Sequence, residues 1–397
     1  MTTSQGGPTG VGERALGPDL ARGFMLLFIA LANSHYFLRG SSVLGGFPQD
    51  GSKLDQVVTW VIATFVDGRA FPMFGLLFGY GVAQIVRRQT EAGAAWRSAR
   101  RLLWRRSLVL VVLGFLHAML LYVGDILAAY GVLLFIGVWA LRWKDRTLLI
   151  VAAVFLLLTA MPSADSLATS ADPPDPSMLP PDLWSQISER ITVQPFIMVL
   201  GPIGFVTPFL IGLWAGRRRI LERPAQHVKL LRTTAAFGIG VAVLGAQPVS
   251  LVLAGFVDKP SDGTLSVFGP LHDAAGVFGG LGYASLICLI AMRLSTAPGP
   301  ITLAISAVGQ RSLTCYLAQS VVWTVAFTPY LADLSDTLTV TTTALLAATT
   351  WLATVFLADR MRRTGSRGPF EILIRNVTYR GRFGAGRPPI RRESPTG

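Results

Sequence analysis

At 397 residues, the chain is 51% hydrophobic and only 14% charged, whereas a soluble domain usually carries charge on about a quarter of its positions. Its mean hydropathy is positive, which excludes an ordinary soluble globular protein and predicts an all-α, polytopic helix bundle in a lipid bilayer. The net charge of +13 does not indicate a nucleic-acid partner, because no soluble domain is left over to carry a basic face.

Residues 1–18 are rich in Gly, Thr and Pro without periodicity, so a disordered cytoplasmic leader is expected there. Apolar runs of ~20 residues then predict about ten transmembrane helices. They fall near 19–38, 68–86, 103–122, 124–142, 146–162, 193–215, 231–256, 268–292, 301–329 and 338–359. A cleavable signal is the rival for the first, whose core ends in Ala30-Leu31-Ala32. No basic n-region precedes it and the apolar stretch continues to Phe37, which favours a span.

Residues 54–66 are apolar but run into Asp67-Gly68-Arg69. A charge at the centre of one long helix costs about 2.5–3.5 kcal/mol, so a re-entrant or interfacial segment turning at Gly68 is predicted, with Asp67 and Arg69 near the outer face and supporting each other. The arginines cluster at 87–106, 217–232 and in the tail, while the 162–191 connection holds five acidic residues against one arginine. An even number of spans with both termini cytoplasmic puts every basic connection inside and the acidic one outside. The chain thus divides into the leader, an N-terminal bundle (19–162), an extracytoplasmic loop (163–192), a C-terminal bundle (193–360) and a basic cytoplasmic tail (361–397).

Ionisable residues inside spans are functional candidates because they are expensive. His117 falls about 14 residues, or ~21 Å, beyond Leu103, in the outer third of its span. The turn at Val123-Gly124 then presents Asp125 as the first polar residue of the returning helix, within hairpin reach of His117. The bland alternatives are an N-cap for Asp125, an ion pair holding a turn for Asp67 and Arg69, and an interhelical hydrogen bond for His117. His35 and His272 approach from the same side. At the opposite end Asp19 and Arg22 share a helix face, and Gly23, Asn33 and FPMFGLLFGYG (71–81) supply small residues for close packing. Pro202 and Pro208, with Gly201 and Gly204, are expected to break the sixth span as transporters often do. Neither His-x3-His nor Cys-x2-Cys occurs, so no metal is expected, and Cys288 and Cys315 are expected as buried thiols.

Several of these pieces together resemble the YeiB-like bacterial membrane proteins, which carry a C-terminal domain of unknown function (DUF 418). They are Leu16-x2-Asp19-x2-Arg22-Gly23 with Asn33, FPMFGLLFGYG, RRLLWRRSLVLVVLGFLHAMLLYVGDILAAYG (100–131), VGQRSLTCYLAQS (308–320) and GPFEILIRNVTYRG (368–381). The chain departs from that pattern at Gly17-Pro18, just before Asp19, and at Cys315, where an asparagine is more usual. The resemblance implies a bacterial cell membrane and, more remotely, a likeness to transmembrane acyltransferases of the heparan-glucosaminide N-acetyltransferase type. Such an enzyme would take acyl-CoA as donor on the cytoplasmic side and a glycan, lipid or small molecule as acceptor outside. His117 is then the base or acyl carrier, Asp125 its orienter, Arg69 (with Asp67) the oxyanion partner, and Asp19, Arg22, Arg100 and Arg101 the donor-phosphate candidates. Asn33, His35 and His272 remain further candidates. A transporter or flippase is the competing expectation, and a homo-oligomer is compatible with either.

Overall fold

The computed structural model describes residues 15–379; of the expected leader (1–18) and tail (361–397), residues 1–14 and 380–397 lie outside the described residues. Thirteen α-helices fill the described chain, and its one sheet there is a two-residue antiparallel pair, Val43–Leu44 with Phe47–Pro48. Seven helical segments are long and apolar enough to cross a membrane. The bundle is therefore all-α, as the hydropathy requires.

The first helix, α1 (Leu16–Ser34), begins before Asp19. Gly17 and Pro18 do not interrupt the approach to it. Proline is tolerated in a first turn, where its missing N–H has no intrahelical acceptor to lose, and a Cβ at Gly17 would meet Cys288 Sγ at 3.0 Å. Next come α2 (Lys53–Phe65) and α3 (Ala70–Glu91), separated by a turn in which Gly68 has φ +71°. α2 is thus the broken-off first part of one long segment. α3 lies along α7 (Leu183–Arg217), and Gly79 and Gly212 each stand so close to the facing backbone that a side chain has no room.

α4 (Trp96–Leu120) and α5 (Leu127–Gly137) form the hairpin expected around residue 124, and α6 (Asp145–Thr159) follows. The helix α7 corrects an expectation. Pro195, Pro202 and Pro208 all sit inside one uninterrupted helix of 35 residues. Prolines are tolerated in spans when neighbours re-satisfy the backbone they free, and Thr207 Oγ1 ties this stretch to the Ala152 carbonyl at 2.9 Å.

α8 (Val228–Leu253) and α9 (Asp262–Leu294) pack along each other, and glycines of α9 receive the α2–α3 turn: Gly276 faces Gly68 and Gly279 faces Arg69. The expected ninth span is instead two helices, α10 (Pro300–Gln310) and α11 (Ser312–Phe327), parted at Arg311. α12 (Val340–Arg363) and α13 (Pro369–Tyr379) complete the chain. The basic connections gather at one end, where Arg87 meets Glu222 and both Arg217 and Arg218 meet Asp145. At the other end the acidic connection packs onto loops, with Gly45 N–H bonded to Ser170 O and Arg39 paired to Asp336.

Candidate functional site

The α4–α5 hairpin closes tightly because its contacts are made by glycine. A Cβ at Gly114 would collide with the Ala128 amide and Asp125 Oδ2, and one at Gly131 would meet Val111 N at 2.8 Å. Ser107 Oγ donates to Gly131 O at 2.6 Å from the opposite helix. This closeness brings Asp125 to His117. His117 Nδ1 lies 2.8 Å from Asp125 Oδ1, while Asp125 Oδ2 accepts the Ala128 N–H at 2.7 Å. One carboxylate therefore holds the first turn of α5 and the imidazole at once. Both residues are buried, and His117 Nε2 finds no hydrogen-bond partner among the described residues.

The end of α4 beneath this pair is held by side chains from the start of α7. Gln186 Nε2 donates to Met119 O at 2.8 Å, Arg190 Nη1 to Ala118 O at 3.1 Å and Gln194 Nε2 to Val123 O at 2.6 Å. A cation at a helix C-terminus satisfies its carbonyls and its dipole together. Arg190 is the lone arginine of the acidic connection, which was the available signal for it in the sequence.

Tyr316 of α11 lies against the imidazole, ring centroids 5.0 Å apart. Its hydroxyl, beside the Ile126 backbone, makes no hydrogen bond of ordinary geometry to the described residues. The other side of Tyr316 faces a cavity of about 320 Å³ that reaches down to Asp19, Arg22, Arg106 and Arg311 and to α13. Asp19 and Arg22 pair at 3.2 Å on its wall. Arg100 and Arg101 do not line this cavity. Arg100 stacks over Trp104 and Trp139 at 4.7 and 4.9 Å, and Arg101 is exposed. Asn33 is buried in α1.

The floor of the cavity explains two of the sequence motifs. Arg311, at the break between α10 and α11, donates to the Ser366 carbonyl at 2.6 Å, leaving the N-terminus of α11 to be capped from elsewhere. Glu371 of the Gly-Pro-x-Glu motif does this: it accepts the N–H groups of Leu313 and Thr314 at 2.9 and 3.1 Å and the Thr314 hydroxyl at 2.5 Å.

The Asp67 and Arg69 pair is rearranged relative to expectation. Arg69, fully buried, points Nη1 to His272 Nε2 at 2.8 Å and to the Asp67 carbonyl, and Nη2 to the Ala242 carbonyl at 2.7 Å. The Asp67 carboxylate instead faces His35 Nε2 at 3.5 Å, and that imidazole stacks on Phe47 at 3.8 Å. His272 also approaches Asp273 at 3.3 Å, and Asp273 receives Ser166 Oγ at 3.3 Å. Arg69, Asp67, His35 and His272 thus make a second polar node around the α2–α3 turn. The guanidinium is spent on that node and not on His117.

With this geometry in place, comparison with known proteins gives a consistent result. The model of a family described as a protein of unknown function (DUF418) matches residues 215–381. The chain is also 26% identical to YxaH of Bacillus subtilis (strain 168), across 94% of this chain and 96% of that protein. It is 26% identical to YeiB of Escherichia coli (strain K12), across 93% and 97% respectively. Both relatives are described as uncharacterised. The chain is thus similar to YeiB and YxaH over nearly its whole length and to DUF418 over residues 215–381. The matched segment begins in the last residues of α7 and supplies Tyr316, Arg311 and Glu371, while His117 and Asp125 lie outside it in the part that only the whole-chain relatives cover.

Proposed function

We propose that this YeiB-like protein is a membrane-bound acyltransferase, moving an acyl group from cytoplasmic acyl-CoA to an extracytoplasmic glycan, lipid or small-molecule acceptor. The observation that supports this is the His117–Asp125 pair: Nδ1 is held by a buried carboxylate, Nε2 is left available, and a single ring separates it from a cavity with an arginine-lined mouth. Histidine suits the task because its ordinary pKa lies near neutrality, and a carboxylate on Nδ1 fixes the tautomer that presents Nε2 as base. Nε2 takes the proton of the acceptor O–H or N–H as that atom bonds to the thioester carbonyl carbon. The C–S bond then breaks, and the leaving thiolate receives the proton back from the imidazolium. No role falls to Arg69, whose Nη1 and Nη2 are turned to His272 and to the Asp67 and Ala242 carbonyls. Donor phosphates would meet Arg22 and its neighbours in the cavity rather than Arg100 or Arg101.

The test is transfer of labelled acyl from coenzyme A in membranes with matched protein levels. His117→Ala should insert normally and lose about 10²- to 10⁴-fold in rate, and Asp125→Asn should lose less while staying folded. Wild-type transfer by His117→Ala removes the catalytic role. A transporter is the second reading, favoured by the two interrupted helices at Gly68 and Arg311, since discontinuous helices commonly frame transport sites. Loss of uptake or export in the same variants, with no acyl turnover in the wild type, would select it.

A further inference from the structure

Gln319 of α11 is 2% exposed, and it is the one carboxamide among the described residues whose oxygen and nitrogen are both buried without a hydrogen-bond partner. Unpaired polar atoms in a bundle interior are costly, and a leucine would fill the same space without that cost. Tyr316, three positions earlier on the same side of α11, packs its ring on His117; the Tyr316 hydroxyl and His117 Nε2 are also unbonded among the described residues. The level of Gln319 in the bundle follows from contacts one turn above it. α1, α4 and α11 all rise from the end where the basic connections gather. Thr324 Oγ1 on α11 donates to Leu121 O at the end of α4 at 3.0 Å. His117, one turn before Leu121, therefore stands level with Gln319 and Ser320, about one turn before Thr324. Phe37, just past α1, lies against Trp323 and Tyr122 with ring centroids 6.4 and 5.5 Å apart. Asn33 lies one turn below Phe37, and Gln319 one turn below Trp323.

Asn33, Gln319 and His117 thus share one buried layer of the bundle, beneath the rings of Phe37, Tyr122 and Trp323. The carboxamides of that layer each donate from nitrogen and accept at oxygen. With Nδ1 donating to Asp125, His117 Nε2 is an acceptor. A hydroxyl complements all three groups, because it donates and accepts at one atom. An ammonium has no lone pair for the amide N–H groups, and a carboxylate or phosphate oxygen would set its own lone pairs against Nε2. We infer that this layer binds a neutral, hydroxyl-rich molecule, a sugar or another polyol, with hydroxyls held by Gln319 and Asn33 and one presented to His117 Nε2. The inference deepens the acyltransferase reading and rests on it for the chemistry, though not for the binding. The O–H proton passes to Nε2 as the hydroxyl oxygen bonds to the acyl carbon, the thiolate leaves and takes that proton, and the product is an ester rather than an amide.

Binding is measured on the full chain in a sugar-free detergent by titration calorimetry, with three probes of one shape: glucose, glucosamine and glucuronate. Glucose should bind saturably, and the ammonium and carboxylate analogues about tenfold or more weakly, since each leaves a buried partner unpaired. Gln319→Leu and Asn33→Ala should each weaken glucose binding by about tenfold or more. Without ligand, Gln319→Leu should melt at or above the wild-type temperature, because it removes two unpaired atoms from the interior. A large fall in that temperature would reveal a structural partner for the carboxamide and overturn the site. In membranes that turn over labelled acyl-CoA, the product should be cleaved by neutral hydroxylamine, as an ester is. Glucose binding that is lost in Gln319→Leu, with no acyl turnover in the wild type, keeps the site and removes the acyltransferase. The inference is overturned if glucose does not bind, if Gln319→Leu binds it as the wild type does, if either charged probe binds more tightly, or if the product is a hydroxylamine-stable amide.

Discussion

Removing the carboxylate of Glu371 should loosen α13 from the bundle and open the cavity floor. In the structure that carboxylate takes two N–H groups from the first turn of α11 and one hydroxyl, at 2.9, 3.1 and 2.5 Å. These N–H groups belong to the first four of a helix, which have no intrahelical acceptor. Hydrogen bonds to a charged group contribute about 1.5–3 kcal/mol each, while loss of a helix cap typically costs about 0.5–2 kcal/mol because water recovers part of the difference. For a half-buried group with two backbone partners, the local cost of Glu371→Ala is about 2–4 kcal/mol, or on the order of 10² in the opening equilibrium. Glu371→Gln keeps one acceptor oxygen and should cost about half as much. Hydrogen exchange at the amides of Leu313 and Thr314 reads the cap directly, and thiol labelling of Thr378→Cys, a position 3% exposed on α13, reads detachment of the helix. Glu371→Ala should speed both by roughly that factor, with the exchange of core helices unchanged. Unchanged protection of Thr314 and an unreactive cysteine at 378 in Glu371→Ala would refute the clamp and, with it, the place of α13 as a fixed wall.

Gly114→Ala should spread the α4–α5 hairpin, since its methyl group meets the backbone nitrogen of Ala128 and the carboxylate that holds His117. Overpacking of this kind costs about 1–3 kcal/mol, so a melting temperature in detergent equal to that of the wild type would show that the hairpin is looser than described. Orientation in the membrane is checked with Ala171→Cys and Arg293→Cys, both at exposed positions on opposite ends of the bundle. An impermeant thiol reagent on intact cells should label only the former. Labelling of position 293 alone would invert the topology and move the His117 end to the cytoplasm.

The position of the long apolar helices along the chain was legible in the sequence, and direction around each helix was not. Of the ten expected spans, hydropathy placed the seven that fall on helical segments long and apolar enough to cross a membrane, and a glycine followed by an aspartate located the hairpin and the His117–Asp125 contact, because both depend on neighbours within ten residues. Asp67 and Arg69 were two positions apart and looked like a pair, yet the turn at Gly68 sends the carboxylate to His35 and the guanidinium to His272. Arginine near an interface reads alike whether it faces a cavity or a tryptophan, so Arg100 and Arg101 could not be told from Arg106 and Arg311. The clamp between Glu371 and Thr314 joins residues 57 positions apart, and no periodicity carries that information. The prolines of α7 misled for a related reason: whether a proline interrupts a span depends on packing partners that local sequence does not name.

The site is assembled across the two halves of the chain, and α1 is the element that joins them. A Cβ at Gly17 would meet Cys288, and at Gly23 or Gly309 the α1–α10 contact leaves no room for a side chain at all. Trp351 of α12 donates its indole N–H to the Gly23 carbonyl at 3.0 Å. The small residues of the Asp19-x2-Arg22-Gly23 segment thus seat α10 and α12 against the helix that also carries Arg22 to the cavity. The histidine and aspartate come from α4 and the loop before α5; the tyrosine against them, the arginine at the helix break and the glutamate clamp come from α11, the α10–α11 junction and α13. Residues 215–381 alone would therefore present Tyr316, Arg311 and Glu371 without the His117–Asp125 pair that Tyr316 packs against, and the N-terminal bundle alone would present that pair with one wall of the cavity missing. The cavity below Tyr316 is thus bounded at its arginine-lined end by Arg311, Glu371 and Arg375, all inside the segment that matches DUF418, and on its other walls by α1, α3 and α4.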